Sequence, residues 1–170
     1  DWIKNKRDPN KPFAVLYHQK APHRNWLPAP KYLDLYDDVT FELPETFFDD
    51  YEGRGRAAKE QEMQIHGHAM WGHDFKLIVA PNGDSTGFHN QLNRMTPQQR
   101  EDWMAAYSSE NEEFIANYND MTNEEIALWK YNRYIKDYLR TIKSVDDGVG
   151  ELLDYLEESG LAENTIVVYT

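Results

Sequence analysis

FAVLYHQKAPHRNWLPAP, residues 13–30, passes abruptly from a short apolar run into a cluster of basic, imidazole and amide side chains set between prolines. Phe13, Ala14, Val15, Leu16 and Tyr17 have the length and near-continuous apolarity of a strand buried on both faces, the pattern of a parallel sheet covered by helices. In open α/β sheets ligands bind outside the carboxyl ends of the strands, and that position here carries His18, Lys20, His23, Arg24, Asn25 and Trp26. Pro22, Pro28 and Pro30 fix φ and push the residue before each towards an extended conformation, which stiffens the loop.

On the amino-terminal side, residues 2–11 are polar and basic and read as the tail of a helix and a connection into the strand. Downstream, residues 31–50 form a proline-punctuated extended stretch without clean periodicity, and a short helix is expected from Ala57. Residues 75–80 are apolar and read as a strand or a buried turn, followed by the turn signal Pro81, Asn82, Gly83, Asp84. Thr96 and Pro97 open a helix, with Trp103, Met104 and Tyr107 at helical spacing. Thr122 opens another, with Glu125 completing a capping box. Its apolar face runs through Ile126, Trp129, Ile135, Tyr138, Leu139, Ile142, Val145, Val149, Leu152, Leu153 and Leu156, as one long helix or two joined at Gly148 and Gly150. Gly160 is the expected cap, and residues 165–169 read as a second buried strand. Two strands separated by a helical excursion fit a parallel sheet with a right-handed crossover.

The chain of 170 residues has 18 basic and 30 acidic residues, a formal net charge of -12, which argues against nucleic acid or an anionic membrane as partner. An anion would be bound locally, and Lys20 and Arg24 flanking the titratable His23 supply such a spot. There is no cysteine, so neither a disulfide framework nor a thiolate metal site is possible. No apolar run reaches the length of a membrane span.

The segment KAPHRNWLPAPKY after a strand resembles the second conserved region of the formylglycine-dependent sulfatases of the alkaline-phosphatase superfamily. The carboxy-terminal VDDGVGELLDYLEESGLAENTIVVYT is similar to the helix and strand that lead into that family's Ser-Asp-x-Gly metal motif. The resemblance implies an α/β fold, part of an alkaline-phosphatase-like domain that is mainly parallel sheet covered by helices and incomplete in this chain. Residues 1–170 would be an internal segment of the catalytic domain: strand 13–17, substrate-cleft loops 18–121, a long helical region 122–159 and strand 165–169. It implies that His23 contacts the sulfate ester and helps protonate the leaving oxygen, with Lys20, Arg24, Asn25 and Trp26 binding substrate. In the family a hydrated formylglycine attacks sulfur while calcium polarises the ester oxygens. Neither the Cys/Ser-x-Pro-x-Arg motif nor the acidic ligand pair occurs here, so calcium and formylglycine belong to the full-length parent, no metal ligand is assigned, and the segment alone is expected to be inactive. The HRNW combination implies, by resemblance, bacterial enzymes acting on sulfated carbohydrates, with amino-sugar 6-O-sulfates of host glycans as a substrate class. Such enzymes are exported, to the periplasm or beyond.

Each site residue has a plainer alternative. His23 would be a structural hydrogen-bonding residue, Lys20 and Arg24 surface cations paired to carboxylates, and Trp26 a packing residue beneath the loop. His18 is expected as buried support. His66, His68 and His73 do not have the spacing of a zinc site and read as bordering a cleft. Asp146 and Asp147, adjacent on a helix, face different ways and read as solvated or salt-bridged. Two other functions compete: a phosphate or phosphonate ester hydrolase of the same superfamily, and a non-catalytic glycan- or protein-interaction module.

Overall fold

Helices and ordered loops make up the computed structural model, which describes residues 1–170. The helices are α1 (Trp2–Asn5), α2 (Arg56–Lys59), α3 (Ile65–His68), α4 (His89–Leu92), α5 (Pro97–Asn117) and α6 (Asn123–Glu158). Helices α5 and α6 dominate, and both begin where the sequence directs. Thr96 and Thr122 each accept a hydrogen bond from the backbone N–H three residues on, while Gln99 and Glu125 reach back to the cap residue's own N–H. Helix α6 runs unbroken for 36 residues through Gly148 and Gly150. It ends in a Schellman motif: Gly160 takes φ of 70°, its N–H donates to the carbonyl of Glu157, and the N–H of Leu161 donates to that of Leu156.

The core lies between these two helices and the loop of residues 69–88. Leu33, Phe88, Leu92, Trp103 and Tyr107 form one buried cluster, and Phe75, Leu77 and Phe114 form a second. Phe114 of α5 stacks on Trp129 of α6, ring centroids 3.7 Å apart and planes within 12°. Aromatic stacking of this kind adds about 0.5–1.5 kcal/mol beyond area burial. Residues 75–80 form neither a strand nor a fully buried turn: they run as irregular backbone, buried at Phe75, Lys76, Leu77 and Ala80 and exposed at Val79, with a single antiparallel bridge between Val79 and Ser85. The turn that follows is closed by the Gly83 N–H donating to the Ala80 carbonyl, with Gly83 at φ of 86°.

Two expectations are not met within these 170 residues. Residues 13–17 and 165–169 carry no β-ladder; both are extended, and Leu16 and Ile166 are 74% and 92% exposed. A strand becomes a strand through its neighbours' N–H and C=O groups, and no second strand lies beside either segment. The second correction concerns α6. Of the apolar residues that define its expected buried face only Leu156 is buried, while Ile142 and Leu153 are exposed. The face turned inward carries Ala127, Lys130, Arg133, Asp137, Arg140 and Thr141. Burying charged groups in preference to aliphatic ones is tolerable because each charge meets a partner here.

Candidate functional site

The loop 20–26 lies over the buried charged stripe of α6. Its start is turned by the His23 N–H donating to the Lys20 carbonyl at 2.9 Å. The Ala21–Pro22 and Arg24–Asn25 peptide bonds are cis. His23 is exposed, and its ring Nδ1 hydrogen-bonds the backbone carbonyl of Arg24. A carbonyl oxygen only accepts, so Nδ1 carries the hydrogen and Nε2 is the ring atom left for chemistry.

Arg24 donates from Nε and Nη2 to the two oxygens of Asp74 at 2.6 and 2.5 Å. The side chain of Asp74 is 2% exposed and that of Arg24 47%. Asp74 also accepts from the Met70 N–H at 2.7 Å. Burial alone would raise the Asp74 pKa, but the Arg24 hydrogen bonds, the Met70 N–H and the charges of Arg24 and His73 outweigh it and hold the carboxyl below its ordinary value. Trp26 packs edge-on against Tyr134, centroids 4.8 Å apart, and against Tyr138 at 6.3 Å, both on α6. Lys20 is exposed and makes no ion pair. The side-chain Nδ2 of Asn25 is buried and has no hydrogen-bond partner in the chain. His18 is exposed rather than buried, because the apolar segment before it is itself uncovered.

Beneath the loop lies a buried polar network that the sequence reading missed. Lys76 is fully buried at φ of 60°, donating from Nζ to the backbone carbonyl of Asp74 at 2.7 Å. Its ammonium also lies 2.7 Å from Oδ2 of the equally buried Asp137, a charge contact without the alignment of a hydrogen bond. Oδ1 of Asp137 accepts from the Tyr107 hydroxyl at 2.6 Å and from Arg140 Nη1 at 3.3 Å. Arg140 reaches on to the Leu35 carbonyl at 2.7 Å and to Asp37. Burial, only partly offset by Asp137, pushes the Lys76 pKa below its ordinary value; burial with the Asp137 charge pushes the Tyr107 hydroxyl well above its own. Two signals for the network were present in the sequence. Lys130, Arg133, Asp137 and Arg140 recur at helical spacing, and Asp74 and Lys76 interrupt an otherwise apolar run.

The remaining histidines do not converge. His66 sits against Phe47 and Phe48, its centroid 5.4 and 5.2 Å from theirs. Burial, then Lys130 and His68, lowers its pKa. Asp147 pairs with Lys31 at 3.3 Å and with Lys143, which also approaches Asp146 at 3.4 Å. No three His, Asp or Glu side chains lie close enough to hold a metal ion, and cysteine is absent.

Residues 1–170 match the family model described as Sulfatase. An N-acetylglucosamine-6-O-sulfatase of Bacteroides thetaiotaomicron is 43% identical over an alignment 169 residues long that covers 96% of this chain and 30% of that protein. Among solved structures, that of BT4656 in complex with its substrate D-glucosamine-2-N,6-O-disulfate superimposes with a TM-score of 0.83 at 38% identity, over 96% of this chain and 33% of that one. The chain therefore spans 30% of the length of the curated relative it matches. With the whole of its length matched by that family model, the chain belongs to the sulfatase family.

Proposed function

We propose that this chain is the part of a sulfuric ester hydrolase that supplies the general acid, His23, and one wall of a cleft for a 6-O-sulfated amino sugar. The observation that carries the reading is the exposed imidazole whose Nδ1–H is committed to the Arg24 carbonyl, leaving Nε2 to act. As the S–O bond to the sugar breaks and sulfur is taken by an attacking oxygen, water in the overall reaction, the protonated Nε2 gives its proton to the departing alcohol oxygen, so the poor alkoxide leaves as a neutral hydroxyl. Lys20 contributes a free ammonium to the sulfate oxygens. Arg24 has its Nη1 uncommitted and adds a second donor, and Trp26 gives the wall an aromatic surface. The choice of sugar follows those two relatives, one an N-acetylglucosamine-6-O-sulfatase and the other bound to its substrate D-glucosamine-2-N,6-O-disulfate.

The same reading accounts for the uncovered apolar segments. In the full-length protein, 13–17 and 165–169 are strands of a largely parallel sheet, and the half-exposed aliphatic face of α6 covers that sheet. A strand in that position presents the 20–26 loop at its carboxyl end. By the same resemblance the protein is exported to the periplasm or the extracellular space; no helix is long and apolar enough to cross a membrane.

The test is sulfate release from 6-O-sulfated N-acetylglucosamine by the full-length protein, followed by ion chromatography. Turnover that falls by about 10²–10⁴ in His23→Ala is the expected result. Release of phosphate from the matching 6-phosphate instead, or turnover indifferent to His23→Ala, overturns the reading.

A further inference from the structure

We propose that Asp74 is a positioning residue for His23, acting through Arg24. The inference rests on the reading of His23 as the acid and deepens it. Arg24 is bonded in two directions: its guanidinium is held in a fork by Asp74, and its backbone carbonyl holds the Nδ1–H of His23. The carboxylate therefore fixes the guanidinium, the guanidinium fixes the residue, and the residue's carbonyl fixes the imidazole's tautomer and direction. Without the fork, an exposed loop would let the ring turn about its side-chain torsions, and a displacement near 1 Å is enough to lose about 10²-fold in rate.

Three features separate this arrangement from a surface ion pair. The Asp74 side chain is almost entirely removed from water, so an unpaired charge there would be strongly disfavoured and Arg24 is its one cationic hydrogen-bond partner. The pair is bidentate, which fixes orientation as well as distance. Asp74 itself cannot drift, because its backbone carbonyl is held by Lys76 Nζ, and Lys76 is locked by Asp137 in a left-handed backbone conformation uncommon for a residue with a side chain. From the second anchor, Trp26 against Tyr134 and Tyr138, the loop is restrained two residues beyond Arg24.

The experiment is a double-mutant cycle in the full-length enzyme with Asp74→Asn and Arg24→Gln. Asparagine keeps an acceptor for the Met70 N–H while removing the charge that holds the fork. Activity is measured on the 6-sulfated sugar across pH, beside His23→Ala. The expected result is a fall in kcat/KM of about 10- to 100-fold for each single variant, a double variant no slower than the slower single, and loss of the alkaline limb that His23→Ala also removes. A role confined to folding scales the whole pH curve down without changing its shape, and that result overturns the proposal, as does a cycle that is simply additive. A crystal structure of Asp74→Asn gives a reading that needs no activity. Loop 20–26 displaced with the His23 ring turned supports the inference, and a loop in place overturns it. A wild-type enzyme that releases no sulfate sinks the functional reading alone, and the loop position in that crystal structure still decides the anchor.

Discussion

Asp137→Asn is the sharpest probe of the interior. The wild-type carboxylate is fully buried and meets Lys76 Nζ at 2.7 Å, the Tyr107 hydroxyl at 2.6 Å and Arg140 at 3.3 Å. Asparagine preserves the volume and still accepts from Tyr107, but it leaves the Lys76 ammonium inside the protein with only a backbone carbonyl and no opposing charge in contact. Removing one partner of a buried ion pair typically costs about 3–5 kcal/mol, and that is the expected loss for the unit that contains α5 and α6. The pH dependence identifies the cause. In the wild type the folded state already depresses the Lys76 pKa below 10.5, burial outweighing Asp137, and the substitution removes the carboxylate that opposes the shift. Between the depressed folded value and the unfolded one, the unfolded chain binds the proton and the native chain does not, so stability rises with pH in that window. Each pH unit within it returns up to about 1.4 kcal/mol. The assay is denaturant unfolding of the full-length protein at neutral and alkaline pH, for wild type, Asp137→Asn, Lys76→Met and the double variant. The double variant should be less destabilised than the sum of the singles, since it removes both charges together. A loss below about 1 kcal/mol for Asp137→Asn, or a loss that does not shrink as pH rises, would show that Lys76 is not a buried cation held by this carboxylate.

Three further outcomes follow from the same contacts. Tyr107→Phe deletes one donor to a buried carboxylate and should lower stability by about 1.5–3 kcal/mol in the same unfolding assay. Gly72→Ala places a methyl group 2.5 Å from Thr86 Oγ1 and 2.9 Å from the Thr86 backbone oxygen, so the 69–88 loop must shift; overpacking of about 1–3 kcal/mol is expected, and an unchanged melting temperature would refute the close approach. The Asp74 carboxyl is held below the ordinary value of 3.8, so the stability it contributes is complete above that pH and disappears as pH falls through its folded value. Acid titration should therefore narrow the gap between wild type and Asp74→Asn, and a gap constant down to the lowest accessible pH would contradict the Arg24 pairing.

Local rules were enough for the helices because their signals are local. Thr96 and Thr122 with their partners three residues on, Pro97 at the first helical position, and Gly160 past the end each act within one turn of chain, so α5 and α6 lie where the sequence places them. The turn at residues 80–83 has the same character. The 20–26 loop was legible as a polar cluster held by prolines, and the exposed His23 stands at its turn.

What the sequence alone determined is thus the helical framework and the residue types gathered in one loop, since capping, φ restriction and apolar periodicity are properties of neighbours along the chain. Only the tertiary structure decided which face of α6 turns inward, because a charged stripe is buried there at a tolerable cost only when Lys76 and Tyr107, 61 and 30 residues away by their numbers, arrive to meet Asp137. It likewise decided that Arg24 is held by Asp74, 50 residues further on. Strand formation at 13–17 and 165–169 belongs to the same class, since pairing is a relation to another segment and β-branched composition supplies only the readiness for it.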